Sequence, residues 1–339
     1  MKVYEIDRGN DSGIDALTLA ERPDPKPGYG QVLIRVRATS LNYRDLIVAQ
    51  GNYSGQKSSL IPMSDGAGDV VAVGEGVTRI KVGDRVAGIF FQDWLSGTIS
   101  KEIMKSDLGG GIDGMLAEYV TLDQNGVVLL PSHLSYEEGA TLPCAAVTAW
   151  HALVTKGNVR AGETVLLLGT GGVSTFALKF AKLHGAKVII TSSSDEKLER
   201  ALALGADETI NYKTKPNWEE EVYRLTDSVG VDCVIEVGGA GTLAKSIKSV
   251  RYGGKIGLIG VLSGVAGEIN PQPILGKSIA LQGIYVGSRE MFEAMNRASA
   301  HHQLKPVIDR VFEFTEAKEA YQYMKSGSHF GKVVIGLQQ

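Results

Sequence analysis

The chain has 339 residues, of which 43% are hydrophobic and 22% are charged, and its formal net charge is −3. These values are typical of a globular protein large enough for two domains. The sequence contains no basic block that would favour nucleic-acid binding and no apolar run long enough to span a membrane. The N-terminus, MKVYEIDRGND, has acids where a signal peptide is hydrophobic, and Cys144 and Cys233 are too few for a disulfide framework. A cytoplasmic location is therefore predicted.

The first 120 residues are predicted to form a β domain rich in turns. Residues 31–38, QVLIRVRA, alternate apolar and polar side chains, which is typical of a half-buried strand. Residues 69–77 predict a second strand that runs into a turn, and residues 82–86 predict the start of a third. Many of the 42 glycines lie in turns of this kind, including Gly74 and Gly76.

A strand, a glycine turn and a helix follow one another in residues 165–182, VLLLGTGGVSTFALKFAK. The first four residues are apolar, and Val173, Ala177 and Phe180 then recur at helical spacing. Between them the turn matches the dinucleotide-binding pattern G-x-G-x-x-G/A, except that Ser174 takes the last position.

Each position of that turn has a physical task. Gly169 permits the tight turn, and Gly171 lets the backbone approach a pyrophosphate at the helix N-terminus, where free N–H groups favour negative charge. The last position must be small so that helix and strand pack closely, and Ser174 is nearly small enough. The predicted phosphate-binding residues are Gly169, Thr170, Gly171, Gly172 and Val173. A glycine turn that binds nothing is the alternative.

Strands and helices continue to alternate after this turn, which predicts a doubly wound parallel sheet. Strands are predicted at residues 187–191, 208–211, 231–237 and 255–259, and helices at 194–204, 216–226 and 241–250. Ser194 or Asp195 is expected to cap the first of these helices. A further helix at 288–300 and a last strand at 332–337 follow. The α/β unit is thus inserted between two parts of another domain, and ligands are expected in a cleft at the carboxyl ends of its strands.

The end of the second strand indicates which dinucleotide binds. In an NAD site an acid about 20 residues after the first glycine accepts hydrogen bonds from the ribose 2′-hydroxyl. Here Thr191 is followed by Ser192, Ser193 and Ser194. An acid would repel a 2′-phosphate whereas serines would not, and Lys197 in the next turn adds a positive charge. The sequence therefore predicts NADP(H).

Four segments resemble the medium-chain dehydrogenase/reductase superfamily: GAGDVVAVGEGVTRIKVGDRVAG at 66–88, EGATLPCAAVTAWHAL at 138–153, the glycine turn, and GGKIGLIG at 253–260. The resemblance implies a Rossmann domain inserted in a GroES-like β-barrel catalytic domain that the C-terminus completes. It gives expected boundaries of 1–124 for the first part of the catalytic domain, 125–270 for the NADP-binding domain, and 271–339 for sheet-edge strands and the rest of the catalytic domain.

Zinc separates the branches of that superfamily. Its zinc alcohol dehydrogenases hold a catalytic ion with a Cys, a His and a second Cys beside a Glu. Asn42 stands at the first Cys, Ser64 and Asp65 stand at the His and Glu, and only Cys144 matches. A metal site needs three protein ligands. The four cysteines of the structural zinc, expected between residues 90 and 114, are missing as well, so no metal is predicted.

The chain resembles instead the zinc-independent quinone oxidoreductase-like branch, a zinc-less relative of the alcohol dehydrogenases. The resemblance implies that Asn42 lies beside the nicotinamide and Tyr53 in the substrate cleft, and both are predicted as catalytic. Ile47 replaces a second tyrosine of that cleft. The resemblance also implies cofactor contacts for Thr148 near the nicotinamide ribose, for Lys197 and Tyr212 near the 2′-phosphate, and for Lys332.

An NADPH-dependent reductase of quinones or reactive carbonyls is the predicted function. An electron-poor acceptor needs no Lewis acid, so a neutral donor such as Asn42 or Tyr53 suffices for the developing oxyanion. Asp45, on the same segment, is predicted to cap a helix or form a salt bridge. A reductase of enoyl or alkenal C=C bonds is the alternative on this scaffold, and a non-catalytic NADPH-binding structural or sensor protein is the alternative from another class.

A homodimer is predicted from residues 278–286, SIALQGIYV, which form an apolar strand at the edge of the parallel sheet. An exposed apolar edge is a liability unless it is paired. Members of the superfamily commonly pair these edges across a two-fold axis. The alternative is an edge covered by the chain's own C-terminal segment, which would leave a monomer.

Overall fold

A computed structural model of the chain describes residues 1–7, 13–57 and 59–337. The chain divides into two compact units. The first unit contains Met1–Val147 and Gly287–Gln339, and the second contains Thr148–Val286. Both connections between the units therefore fall within 140 residues of each other along the chain, as expected for one unit inserted in another.

The N-terminal part of the first unit is mainly β-structure. Its strands are β1 (Lys2–Asp7), β2 (Leu17–Glu21), β3 (Gln31–Ser40), β4 (Ser59–Leu60), β5 (Asp65–Val73), β6 (Arg85–Gly88), β7 (Tyr119–Asp123) and β8 (Val127–Leu129). Its helices are α1 (Tyr43–Ala49) and α2 (Tyr136–Ala140), with 3₁₀ turns at Gly13–Ala16, Ile103–Ser106 and Gln124–Gly126.

The second unit alternates strands and helices. A π-helical turn at Leu142–Ala146, at the end of the preceding part of the first unit, leads into α3 (Val147–Trp150) and a second π-helical turn at His151–Lys156. There follow β9 (Thr164–Leu167), α4 (Gly172–Leu183), β10 (Lys187–Ser192), α5 (Asp195–Ala203), β11 (Glu208–Asn211), α6 (Trp218–Leu225), β12 (Val231–Glu236), α7 (Leu243–Ser249), β13 (Val250–Leu258), α8 (Gln272–Gly276) and β14 (Ala280–Gly283).

The C-terminal segment returns to the first unit. It forms α9 (Arg289–His301), β15 (Ile308–Glu313), a 3₁₀ turn at Phe314–Glu316, α10 (Ala317–Ser326) and β16 (Lys332–Gly336). Strand β16 pairs with both β15 and β3, so the C-terminal segment completes a seven-stranded sheet in the order β15-β16-β3-β5-β6-β8, to which β7 adds by pairing with β3. A second, three-stranded sheet has the order β2-β1-β4.

Strand β3 shows why the first unit folds as its sequence suggests. Val32, Ile34 and Val36 are buried while the residues between them are partly exposed, which is the predicted alternation. The prediction for the next strand was wrong at both ends. Strand β5 begins at Asp65 and stops before Gly74, because the Gly74 N–H turns back to donate to the Gln31 carbonyl at 2.8 Å.

The sheet of the second unit is parallel and has the order β11-β10-β9-β12-β13-β14. This order confirms the predicted doubly wound fold, in which the strand order reverses beside the first strand, β9. Both faces of the sheet are covered. Leu166 belongs to a buried cluster on one face with Ile189 and Ile256, and its neighbours Val165 and Leu167 are also fully buried.

Candidate active site

The glycine turn lies between β9 and α4, at the carboxyl end of the first strand. Gly169 has φ +72°, a conformation that side chains rarely adopt, and its N–H donates to the Thr191 hydroxyl at 3.2 Å. A Cβ atom built at Gly171 would meet no protein atom within 4 Å. The glycine at position 171 is therefore not required by the protein's own packing, and the space beside it suits a ligand that approaches the backbone.

Ser174 explains why the motif tolerates a missing glycine. Its hydroxyl donates to the Leu168 carbonyl at 2.7 Å, so the side chain is absorbed by a hydrogen bond to the end of the preceding strand. The residue is buried, as close helix-to-strand packing requires. Helix α4 begins with Gly171 as its N-cap, and the N–H groups of its first turn, from Gly172 onward, can receive an anion.

The serine run lies at the carboxyl end of β10, the strand next to β9. Ser192 is buried, and its carbonyl accepts a hydrogen bond from the Tyr212 N–H at 3.0 Å, which brings these two predicted 2′-phosphate residues together. Ser194 is the N-cap of α5, since its hydroxyl accepts from the Lys197 N–H at 3.3 Å. Ser193 and Lys197 are both half-buried, and Tyr212 is exposed.

Asp195 is the acid nearest to the serine run along the chain. Of the two residues that the sequence offered as helix cap, Ser194 is the cap and Asp195 lies in the first turn. Its carboxylate accepts a hydrogen bond from the Asn211 amide at 2.7 Å. Asp195 is therefore engaged at the end of β11, while the strand end at Ser192 keeps neutral side chains.

A buried polar network surrounds Lys332 in the first unit. The Lys332 ammonium donates to the Leu41 carbonyl at 2.5 Å and to the Asn42 amide oxygen at 2.6 Å. The Asn42 amide nitrogen lies 3.5 Å from the Ser64 hydroxyl, which donates to Asp65 at 2.8 Å. The side chains of this network, those of Lys332, Asn42, Ser64 and Asp65, are all buried.

The remaining partner of this network is Cys144, whose backbone N–H donates to the Asp65 carboxylate at 3.1 Å. Burial raises the pKa of the Cys144 thiol, and Asp65 raises it further. Burial also raises the pKa of Asp65, and the nearby Lys332 ammonium partly offsets this rise. Burial lowers the pKa of Lys332, and the Asp65 carboxylate partly offsets that fall. The structure thus brings Asn42, Ser64, Asp65 and Cys144 together around an ammonium group.

Asp45, which was predicted to cap a helix or form a salt bridge, lies beside this network. Its carboxylate accepts the Asn42 backbone N–H at 2.7 Å, at the start of α1. Burial raises its pKa to about 6, with Arg44 the strongest opposing influence. The predicted role of Asp45 is confirmed by this hydrogen bond, which fixes the backbone that carries Asn42.

Tyr53 lies apart from that network, after α1. Its ring packs against the core of the first unit, and the Arg44 guanidinium lies over it at 4.3 Å from the ring centroid. Thr148 lies in α3 and is buried. Sequence reasoning gave no role to Arg44 or to the ammonium of Lys332 as a partner of Asn42, because their partners are 63 and 290 residues away along the chain.

Zinc does not fit the residues of this network. A zinc site needs at least three ligands of the types Cys, His, Asp and Glu, and here only Asp65 and Cys144 are of these types, beside an amide, a serine hydroxyl and an ammonium group. Within residues 1–7, 13–57 and 59–337, no three His, Cys, Asp or Glu side chains are grouped as a metal site. In the same ranges no helix is both long and apolar enough to cross a membrane.

Comparison with known proteins gives two family matches. A model described as alcohol dehydrogenase GroES-like domain matches residues 28–132, and one described as zinc-binding dehydrogenase matches residues 172–300. A zinc-type alcohol dehydrogenase-like protein of Schizosaccharomyces pombe is 45% identical over 332 residues, which cover 96% of both chains. Human quinone oxidoreductase is 30% identical, over 92% of this chain and 90% of the human one.

Solved structures agree with these matches. A structure from Sinorhizobium meliloti 1021 has a TM-score of 0.90, with 45% identity over 94% of each chain. A structure described as an NAD-dependent alcohol dehydrogenase also has a TM-score of 0.90, with 34% identity over the whole of both chains. The relatives thus share one fold while their names differ in the reaction, so substrate and cofactor choice must be argued from the residues of this chain.

Proposed function

Because the chain belongs to the medium-chain dehydrogenase/reductase superfamily of oxidoreductases, we propose that it transfers a hydride from NADPH to a quinone or another reactive carbonyl without a metal ion. The observation that carries this proposal is the Lys332 ammonium, which donates to Asn42, the residue that by resemblance takes the position of the first zinc-ligating Cys. A cation bound by hydrogen bonds there leaves no place for a second, metallic one.

NADPH supplies the hydride when it is bound, and the residues of this chain hold and orient it. The first turn of α4 is proposed to bind the pyrophosphate, beside the space at Gly171. Ser192, Ser193, Lys197 and Tyr212 are proposed to receive the 2′-phosphate, and Thr148 the nicotinamide ribose. A cytoplasmic location, where NADPH is available, agrees with the two free cysteines.

Asn42 and Tyr53 are proposed to donate hydrogen bonds to the acceptor oxygen. Since Lys332 holds the amide oxygen of Asn42, the NH₂ group is the side of Asn42 that can donate. Reduction of a quinone takes up one hydride and one proton, and gives a hydroquinone. Neutral donors suffice because the carbonyl carbon of a quinone is already electron-poor.

A turnover screen tests the proposal. NADPH consumption should be fastest with quinones among a panel of quinones, enals, ketones and alcohols. With an enone as acceptor, a deuteride that arrives at the β-carbon would indicate the alternative reaction at a C=C bond. Tight NADPH binding with no turnover on any acceptor would support a non-catalytic binding protein instead.

Cofactor preference gives a first expected result. Ser192→Asp should weaken NADPH binding by roughly tenfold or more and favour NADH, because the carboxylate repels a 2′-phosphate and accepts hydrogen bonds from a 2′-hydroxyl. Titration of nucleotide fluorescence measures both affinities. Ser100→Asp, which adds the same charge to an exposed loop of the first unit, is the control and should leave them unchanged. Equal affinity of the wild type for NADPH and NADH would contradict this assignment.

A second expected result concerns the substitution of Cys144. Cys144→Ala should retain turnover within about twofold, because the contact that Cys144 makes with Asp65 comes from its backbone N–H, which alanine keeps. Steady-state kinetics on the purified variant measures this. Loss of activity together with loss of a bound zinc ion would show that the thiol is a metal ligand.

A third expected result concerns the assembly of two chains at the outer edge of β14. All four residues of β14 are exposed at one end of the parallel sheet, and Leu275 nearby is 81% exposed. Strand β14 is the last in the strand order of this sheet, and among the described residues no strand pairs with its outer edge. We propose that a second copy pairs with it across a two-fold axis.

Light scattering should then give roughly twice the 36.2 kDa mass of one chain at micromolar concentration. Leu281→Lys, which charges the exposed strand, should shift the protein to a monomer with little change in thermal stability. A wild-type mass near that of one chain would refute the paired edge.

A further inference from the structure

Arg44 is a buried cation that lies 3.7 Å from Asp45 on its own helix and has three further polar partners on one loop of the first unit. Its guanidinium forms an ion pair with Asp107 at 2.5 Å, and it donates to the carbonyls of Leu108 at 2.7 Å and Gly109 at 3.0 Å. The side chains of Arg44 and Asp107 are 10% and 4% exposed. A desolvated pair of this kind is rigid, because each group would be left uncompensated if the other moved away.

The same guanidinium contacts Tyr53, the predicted catalytic tyrosine. Its central carbon lies 4.3 Å from the centroid of the Tyr53 ring and 5.0 Å from that of Phe90. Burial lowers the pKa of Arg44, but Tyr53, Asp45 and Asp107 together raise it above its ordinary value. Arg44 is therefore a permanent cation, and it joins the tyrosine to the loop at 107–109.

Gly110 packs directly against the ion pair and the tyrosine ring. A Cβ atom at position 110 would collide with the Asp107 carboxylate, with a guanidinium nitrogen of Arg44 and with the edge of the Tyr53 ring. Gly110 does not have a positive φ, so this close approach is the reason that glycine stands here. The loop thus fits against the ion pair and the tyrosine with no spare volume.

We propose that Arg44 is a positioning residue that acts through Tyr53, holding the tyrosine ring in the orientation in which its hydroxyl meets the acceptor. Only arginine serves here, because a planar guanidinium can stack on a ring while its nitrogens bind a carboxylate and two carbonyls. A lysine has the charge without the plane. The inference rests on the proposed function in one respect, the contact of Tyr53 with the acceptor.

A double-mutant cycle separates a positioning role from a structural one. Arg44→Lys should lower kcat for quinone reduction about tenfold while the NADPH dissociation constant changes less than twofold. In a Tyr53→Phe background the same substitution should lower kcat less than twofold, because the hydroxyl it positions is already gone. Gly110→Ala, which pushes on the stack from the other side and keeps every charge, should behave as Arg44→Lys does. Arg224→Lys, in an exposed ion pair of the second unit, is the control.

A second readout does not depend on activity. In protein labelled with 3-fluorotyrosine, the Tyr53 signal is assigned by its loss in Tyr53→Phe. Arg44→Lys should move that fluorine signal toward the position of a free tyrosine and leave the other eleven of the 12 tyrosine signals in place. An unmoved Tyr53 signal would overturn the inference, and so would equal effects of Arg44→Lys on kcat in both backgrounds. If the wild type reduces no quinone, the proposed function fails instead, and the fluorine spectrum still decides whether Arg44 holds the ring.

Discussion

Lys332→Met should lower the stability of the first unit by roughly 3 kcal/mol, because it removes a buried cation and leaves its hydrogen-bond acceptors and a nearby buried carboxylate uncompensated. The substitution leaves the Asp65 carboxylate without the nearby cation that offsets its burial, and it leaves the Asn42 amide oxygen and the Leu41 carbonyl without a donor. For a unit of this size the melting temperature should fall by about 10 °C. Differential scanning calorimetry measures the shift.

The matched control is Lys325→Met, which removes an exposed lysine of the same unit and should have little effect. Lys332→Met combined with Asp65→Asn should recover part of the lost stability, because the carboxylate that lacks a partner is then neutral. A Lys332→Met variant that melts at the wild-type temperature would contradict the assigned network.

Gly171→Val should abolish NADPH binding at the concentrations that saturate the wild type, a loss of roughly 100-fold or about 3 kcal/mol. The side chain enters the space beside the first turn of α4, where the pyrophosphate is proposed to bind. The backbone at Gly171 is extended, with φ −79° and ψ −173°, which valine adopts readily, so the fold should survive. Isothermal titration calorimetry measures the affinity.

Gly276→Val tests whether any added side chain in the second unit has this effect. A Cβ atom at Gly276 makes only an ordinary contact at 3.4 Å with the flexible end of Gln272. That variant should bind NADPH as the wild type does. Normal NADPH affinity in a folded Gly171→Val variant would rule out the proposed pyrophosphate site.

The second unit could be predicted from the sequence more fully than the first. Its strands are short apolar runs and its helices have a 3.6-residue period, so local pattern is enough to find them, and Glu208–Asn211 was predicted to the residue. The least accurate bounds are at β13, which begins at Val250 although residues 255–259 were predicted, and at β14, which is shorter than the predicted 278–286. Helix ends depend on caps, and the capping residue of α5 was one of two candidates.

The candidate site could be predicted only in part, for a physical reason. Motif and resemblance indicated Asn42, Tyr53 and the glycine turn, because each lies in a recognisable segment. The bond from Lys332 to Asn42 joins residues 290 positions apart, and the pair of Arg44 with Asp107 joins residues 63 apart. Neither bond leaves a local pattern, since both arise from strand pairing and loop packing that only the folded chain creates.

The extent of the first unit along the chain shows a further limit of prediction from the sequence. Strand β8 pairs with β6, and α2 follows it in the same unit, so residues 125–147 belong with the first unit although the dinucleotide-binding segment was expected to begin at 125. Alternation of strand and helix does not reveal which sheet a short strand joins. That choice depends on pairing with a strand some 40 residues earlier.

Metal-free hydride transfer is tested by quinone reduction with NADPH, with the zinc content determined on the same sample. The enzyme is treated with a chelator and separated from it, and NADPH loss at 340 nm is followed with a quinone present. Full turnover is expected with well below one zinc ion per chain, and no increase when zinc is added back. Activity that disappears with the metal and returns with zinc would contradict this expectation, and so would the absence of quinone turnover in both samples.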